Sequence, residues 1–384
     1  MAVYNPQDHI PPAFWREGHA DVVVSRNERE LLRFVWNSPG ISRAALTAPM
    51  ELTQQSLHRI IERLQQRGMI RLDQPESPAG RGPRSPNLSP DRDWCLTVGV
   101  AVNVGSIVVA LMGFGELIAM RHLGPQSDDL SDDMTRIISV VNDMLADQPD
   151  GRARTLGVGL AVSGYFVQDG TLNAPQPLKH WSLTPLAPSL GDALNLPVWV
   201  DNGANTAALA EAFFGHGRGT RSFVYIAHNH GYGGGLIVDG RLMRGAFGNS
   251  GELSGMFSRD EMPRRPALHL LLDRMRRTRP DLTLNQMLHD LTPDTPGLIE
   301  WIDDVTPAHN RAINSISAIC DPELIILGGE LPGFMGDMLI ERTDLHGGTR
   351  YGRPRPMLRI ATAQVTQSPA ATGAALLPLF EMVL

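Results

Sequence analysis

The chain has 384 residues, 42% of them hydrophobic and 20% charged, with a formal net charge of −7. That length is more than one core usually serves, so two or three domains are expected, and the acidic balance excludes a protein coated in basic surface. Two cysteines, Cys95 and Cys320, are too few for a disulfide framework or a Cys₄ zinc site. They point to a reducing, cytoplasmic setting without bound metal.

Residues 1–20 carry adjacent prolines and mixed polarity and read as an arm, flexible or docking. They lack a basic stretch followed by an apolar core, so no secretory signal is expected. The average charge conceals a local asymmetry. Residues 21–92 hold 11 Arg and no Lys against 8 Asp plus Glu, a balance of +3 that leaves −10 for the rest. A small basic head on an acidic body suits duplex DNA at one end.

Within the head, SRNERELLRFVWNSPG (25–40) places Leu31, Leu32, Phe34 and Val35 among charges before Pro39-Gly40, one helix and its stop. ISRAALTAPM (41–50) gives a short second helix with Ser42 as cap. In TQQSLHRIIERLQQRG (53–68), Leu57, Ile60, Ile61 and Leu64 recur at helical spacing and form one buried stripe. Thr53 is placed to cap this third helix, so Gln54, Gln55 and Ser56 project from its first turn, the part of a recognition helix that reaches base edges. Gln suits adenine, while Arg59 and Arg63 suit phosphates. Met69 to Leu72 reads as a wing strand, and SPAGRGPRSPNLSP (77–90) as a loop with Arg81 and Arg84 near its tip. The whole segment, 21–92, reads as a winged helix-turn-helix. The alternative for each arginine alone is a solvated face.

Trp94 to Gly115 runs 22 residues without a charge, long enough for a membrane helix. Its β-branched residues, its glycines and the central Asn103 favour two buried strands turning near Asn103–Ser106, and no membrane span. GYGGGLIVDG (231–240) sets glycines where backbone approaches a ligand or turns between strands.

Residues 93–384 resemble the ROK family of sugar kinases and repressors. The resemblance rests on LGVGLAVSGYF (156–166), DNGANTAALAE (201–211), the run from Gly215 to Glu252, DPELIILGGE (321–330) and SPAATGAALLPL (368–379), in that order and spacing. It implies an α/β, two-lobed, actin-like fold of the ribonuclease-H type, with the last segment returning to the first lobe and a sugar in the interlobe cleft. Asn202 and Glu252 match family residues that bond sugar hydroxyls, and Asn173 matches the asparagine before the family's tryptophan. Gly233 in the glycine run and His230 beside it are further candidates. An isolated Asn202 could equally be only a helix cap.

Three departures bear on chemistry. Gly203 stands where the family's kinases have an aspartate acting as general base. GVAVNVGS (99–106) replaces their Asp-x-Gly-Gly-Thr phosphate loop. Glu252-Leu253-Ser254-Gly255 lacks the histidine and the cysteines of the family's zinc motif. The expectation is no catalysis, no cofactor and no metal. What remains is a carbohydrate-responsive repressor that binds a pseudo-palindromic operator as a homodimer. A sugar kinase with an added DNA-binding head, or a ligand-blind DNA-binding dimer, are the alternatives.

Overall fold

The computed structural model describes Val22 and residues 24–73, 87–168 and 170–384. Arg81 and Arg84 lie outside the described residues.

The head is built by local chemistry. Helix α1 (Arg26–Asn37) starts at a capping box: the Ser25 hydroxyl accepts from the Glu28 amide, and the Glu28 carboxylate accepts from the Ser25 amide. Strand β1 (Ile41–Ser42) leads into α2 (Arg43–Thr47), capped by Ser42. Helix α3 (Gln54–Gln66) is capped by Thr53 and buries Leu57, Ile60, Ile61 and Leu64, the stripe its periodicity requires. Strands β2 (Ile70–Asp73) and β3 (Asn87–Pro90) pair antiparallel, with β1 on the far side of β3. Three helices and a β-hairpin make the winged helix-turn-helix.

The body holds two five-stranded sheets of one topology. In the first, β4 (Leu96–Asn103), β5 (Ser106–Gly113) and β6 (Glu116–Gly124) form an antiparallel meander. The charge-free run is therefore two strands with their turn at Val104–Gly105. Helix α4 (Leu130–Ala146) crosses to β7 (Thr155–Val162), parallel to β4. After the hairpin β8 (Tyr165–Phe166) and β9 (Leu172–Asn173), helix α5 (Leu186–Leu194) delivers β10 (Val198–Asn202), parallel to β7. Helix α6 (Gly203–Phe214) leads to the second sheet, where β11 (Phe223–His228), β12 (Tyr232–Val238) and β13 (Arg241–Leu242) repeat the meander. Helix α7 (Leu298–Cys320) precedes β14 (Leu324–Gly329), parallel to β11. A small hairpin of β15 (Thr349–Arg350) and β16 (Arg353–Pro354) precedes β17 (Arg359–Thr362), parallel to β14. Strand orders β6-β5-β4-β7-β10 and β13-β12-β11-β14-β17 correspond one to one. This duplication is the two-lobed, actin-like architecture.

Side-chain size decides what each sheet face can hold. On β4 and β7, Val98, Val100, Val102, Val158, Leu160 and Val162 join a core that includes Ile137 and Val141 of α4. The opposite face carries Ala101 and Ala161 beside Gly99 and Gly159, because helix α8 (Pro369–Met382) lies directly on it. A Cβ on Gly99 or Gly159 would collide with the α8 backbone at Ala371 or Ala374. Helix α8 also packs on α6, so the two helices form the floor between the lobes.

The head docks on this floor. Trp36 of α1, 3% exposed, sits edge-on to Phe114 and Phe213 at centroid distances of 5.1 and 5.5 Å. Arg29 donates to the carbonyls of Phe380 and Met382 at 3.2 and 3.1 Å, and Arg33 to that of Leu384 at 2.5 Å. Arg218 returns the contact by donating to the carbonyls of Asn37 and Trp36. No helix among the described residues is long and apolar enough to cross a membrane.

Candidate functional site

The strand ends and helix starts of the two lobes converge on a cleft. A cavity of about 240 Å³ opens there, lined among others by Asn173, Asn202, His230, Gly233 and Glu252. These five residues lie as far as 79 positions apart in sequence, and one cavity gathers all of them.

Their side chains differ in how far they are committed. Asn202 ends β10 and caps α6: its Oδ1 accepts from the Ala204 amide at 2.7 Å and its Nδ2 donates to the Gly164 carbonyl at 2.5 Å. The capping role is thus real, and the residue also lines the cavity. Asn173 donates to the Tyr165 hydroxyl and accepts from the Ser182 hydroxyl, both at 2.8 Å. Both amides are preorganised, with each Oδ1 keeping a second lone pair. The Glu252 carboxylate has no hydrogen-bond or ion-pair partner among the described residues, and partial burial raises its pKa above the usual range. The carboxylate and the buried Tyr232 hydroxyl, also without a hydrogen-bond partner among the described residues, are uncommitted polar groups of the cavity.

His230 stacks on His269 with ring centroids 5.0 Å apart. Burial, then repulsion from His269, push its pKa down to about 4, so it is a neutral imidazole near pH 7. The glycine run divides by role. Gly235 lies where a Cβ would strike the Ala204 carbonyl and the Ala208 side chain of α6, a packing requirement. Gly233 has free space at its Cβ position, with only the Gly251 carbonyl at 3.8 Å, and faces the cavity.

Sequence reasoning missed Asn229, Tyr232, Ser254 and Tyr165 in this lining. Asn229 stood directly before the flagged His230, which is the one signal that could have found it. Next door is a second cavity of about 180 Å³, lined by Asn103, Ser106, His122, Gly203, Glu330 and Ser368 among others. Here Gly203 presents no side chain, and Asn103 stands across from it: its Oδ1 is 3.9 Å from where a Cβ on Gly203 would be. Among the described residues, no cluster of three or more His, Cys, Asp or Glu is arranged to hold a metal ion.

On the head, Gln54, Gln55, Ser56 and Arg59 are exposed along the first turns of α3. The side chains of Gln54, Gln55 and Arg59 make no hydrogen bond or ion pair among the described residues, and the Ser56 hydroxyl accepts from the Thr53 hydroxyl at 2.9 Å. Arg63 differs: its Nε lies 3.2 Å from the buried Glu28 carboxylate, which ties α3 to α1. Burial works against charge on Glu28, but the Ser25 hydrogen bonds and Arg63 and Arg67 outweigh it and lower its pKa.

Residues 97–263 match the family described as ROK. The xylose repressor of Bacillus subtilis is 26% identical over 232 residues, covering 60% of this chain and 60% of the repressor, so the match spans three fifths of that relative's length. A crystal structure of a ROK family transcriptional regulator, a homologue of the Escherichia coli MLC protein, superposes over 95% of this chain and 98% of its own. Its TM-score is 0.66 and its identity 19%. A ROK family glucokinase from Streptomyces griseus, solved with glucose and AMPPNP, covers 73% of this chain and 98% of its own, with TM-score 0.59 and 20% identity.

Proposed function

We propose, for a chain that carries a ROK-family domain, a carbohydrate-responsive transcriptional repressor. Its α3 reads operator DNA, and its cleft binds a sugar that changes how the head is held. Two copies present two heads to a pseudo-palindromic operator.

One observation carries this reading: the helix that walls the cleft also holds the head. Ser368, Pro369 and Ala370, at the start of α8, line the second cavity. The other end of the segment supplies the Phe380, Met382 and Leu384 carbonyls to Arg29 and Arg33. Fourteen residues of helix span about 21 Å, so a lobe movement that shifts α8 acts on α1 without an intervening flexible joint. A sugar biases operator binding only if it prefers one lobe arrangement. Gln54, Gln55 and Arg59, exposed and without partners on a capped helix, suit base edges and phosphates. Arg81 and Arg84 are proposed to add wing contacts.

Asn173, Asn202 and Glu252 are proposed to hold sugar hydroxyls, with His230 and Gly233 shaping the pocket. Each amide or carboxylate can bridge hydroxyls, and a pocket that fixes them penalises ligands that leave them unpaired. Likeness to a glucokinase fold favours a second reading, a sugar kinase with an added head. Gly203 opposes it, because glycine cannot take a proton from an attacking hydroxyl, and the Asn103 turn provides no carboxylate where phosphate and metal would be positioned. ATP-dependent phosphorylation of any sugar would restore that reading.

The test is mobility shift on DNA from the gene's own upstream region at fixed salt, with and without a panel of sugars. A specific complex released by one sugar supports the repressor. Glu252→Ala is expected to keep operator binding and lose the sugar response; unchanged induction in that variant removes Glu252 from the site.

A further inference from the structure

The two cavities of the cleft are neighbours on either side of α6's first turn. Asn202 and Ala204 line the first, Gly203 the second, and Ala227 and Asn229 line both. On the opposite wall, Val104 lines the first and Asn103 the second. A side chain at position 203 would enter the second cavity, whose lining residues Asn103 and Ala370 are the ones its Cβ would meet.

Nothing in the packing requires glycine there. Its backbone is ordinary for a helix start, and a Cβ would meet only the Ala370 Cβ and the Asn103 Oδ1, both at 3.9 Å. A Cβ fits, so glycine here leaves the second cavity open beside the Ala227 and Asn229 wall that both cavities share. The first cavity alone falls short of the roughly 300–1,000 Å³ typical of small-molecule sites, and the two together reach that range.

The lining restricts the chemistry. Neither cavity is lined by Lys or Arg, and each contains one glutamate, Glu252 in the first and Glu330 in the second. Carboxylates with no cation beside them oppose a phosphate and welcome hydroxyl donors. The Glu330 Oε2 is shielded from water and without a hydrogen-bond partner among the described residues. A buried acceptor in that state, lining a cavity, can take a hydrogen bond from a bound hydroxyl or from water. Asn229 is fixed nearby, its Oδ1 accepting from the Glu330 amide at 2.9 Å.

We propose that the ligand of this cleft is an uncharged disaccharide or glycoside. One sugar ring sits among Asn173, Asn202 and Glu252, and the second unit passes Gly203 to meet Glu330, Asn103 and Ser106. The inference rests on the sugar-binding reading above and goes further, excluding a sugar phosphate or nucleotide and making a lone monosaccharide a partial fit.

The experiment is titration calorimetry on the full chain with D-glucose, D-xylose, glucose 6-phosphate, maltose, cellobiose, xylobiose and methyl glucosides. At least one disaccharide or glycoside is expected to bind about tenfold or more tighter than its parent monosaccharide, and the phosphate to add nothing. Gly203→Val fills part of the second cavity without adding charge. It is expected to weaken that disaccharide about tenfold while changing the monosaccharide by less than roughly threefold. Glu330→Ala, at the far end, is a second variant with the same expected selectivity, and operator binding by both variants checks that they fold. Equal affinity for monosaccharide and disaccharide, preference for glucose 6-phosphate, or variants that weaken both sugars alike would overturn the two-unit ligand while leaving sugar binding intact. Absence of binding by every sugar tested would instead overturn the sugar reading and this inference with it.

Discussion

Arg244 and Asp201 form a nearly buried ion pair, with the Arg244 Nε 2.8 Å from the Asp201 Oδ2. Asp201 immediately precedes Asn202 of the cleft. The other end of the guanidinium lies 2.8 Å from Glu381, at the end of α8 beside the head. One side chain therefore bonds the cleft strand to the helix that carries the head. Burial by itself would lower the pKa of Arg244, but Asp201 and then Glu381 reverse that and raise it.

Arg244→Met should be costly to stability, because it strands the Asp201 carboxylate in a site where water does not reach. Removing one partner of a buried pair commonly costs about 3–5 kcal/mol. Here the Asn205 side chain and the Asn202 amide still donate to Asp201 at 2.7 Å, so the expected loss is nearer the lower end. Urea unfolding of the two proteins measures it. A loss below about 1 kcal/mol would mean that the pair behaves as a surface salt bridge.

On α3, the two kinds of DNA contact should separate in a binding experiment. Gln54→Ala and Gln55→Ala are each expected to cost about 1–3 kcal/mol on the operator and little on random DNA. Arg59→Ala should weaken both and lower the salt slope by about one. Arg63→Ala should do less to DNA affinity than Arg59→Ala, since Arg63 is engaged with Glu28. Equal effects of all four substitutions on specific and random DNA would remove α3 from the major groove.

These elements show where sequence is informative. Ser25, Ser42 and Thr53 cap helices through bonds that span three residues, and the Leu57 to Leu64 stripe repeats within two turns. Such local rules fix the head before tertiary structure is known. The family resemblance pointed to Asn173, Asn202 and Glu252, and one cavity is lined by all three. Glu330 escaped because it enters the cleft only when β14 pairs with β11, setting Gly329 beside His228, 101 positions away. Arg63 was read as a phosphate contact like Arg59, because nothing local reveals that Glu28 of another helix will face it. The glycines of 233–235 look alike in sequence, and only the position of α6 distinguishes the packed Gly235 from the open Gly233.

Stability should depend on pH through two opposed groups. Burial pushes His228 down to about 3 and His309 to about 4, against 6.5 when exposed. Unfolding lets them take protons, so their contribution is present above about pH 6.5 and is lost as pH falls toward 4. Glu330 is pushed up to about 7 from 4.5, chiefly by burial. Its contribution is present below pH 4.5 and is lost as pH rises through 7. Glu330→Gln removes only the second trend. Relative to the parent, the variant should therefore gain stability between pH 4.5 and 8, on the order of 1 kcal/mol or more. Chemical unfolding of both proteins at pH 4.5, 6 and 8 decides it, and a pH-independent difference would show that Glu330 titrates normally.

The contact between head and α8 makes the sharpest prediction about regulation. Arg29 and Arg33 bind main-chain carbonyls, so sequence changes in α8 cannot replace them, and burial lowers the pKa of both, as expected for guanidiniums drawn out of water. Trp36 anchors the same face against Phe114 and Phe213. Replacing both arginines by Gln should leave this aromatic contact and the α3 surface intact while loosening the grip on α8. Operator affinity without sugar is then expected to change little, whereas the ratio of affinities with and without sugar should fall toward one. Coupling free energies between sites are typically about 1–3 kcal/mol, so a ratio of roughly 5–150 would shrink within reach of a mobility-shift titration. A double variant that keeps the full sugar response would show that the signal reaches the head by another route, through Arg218 or the Trp36 contact. Loss of operator binding in both states would show instead that these arginines orient α3 itself.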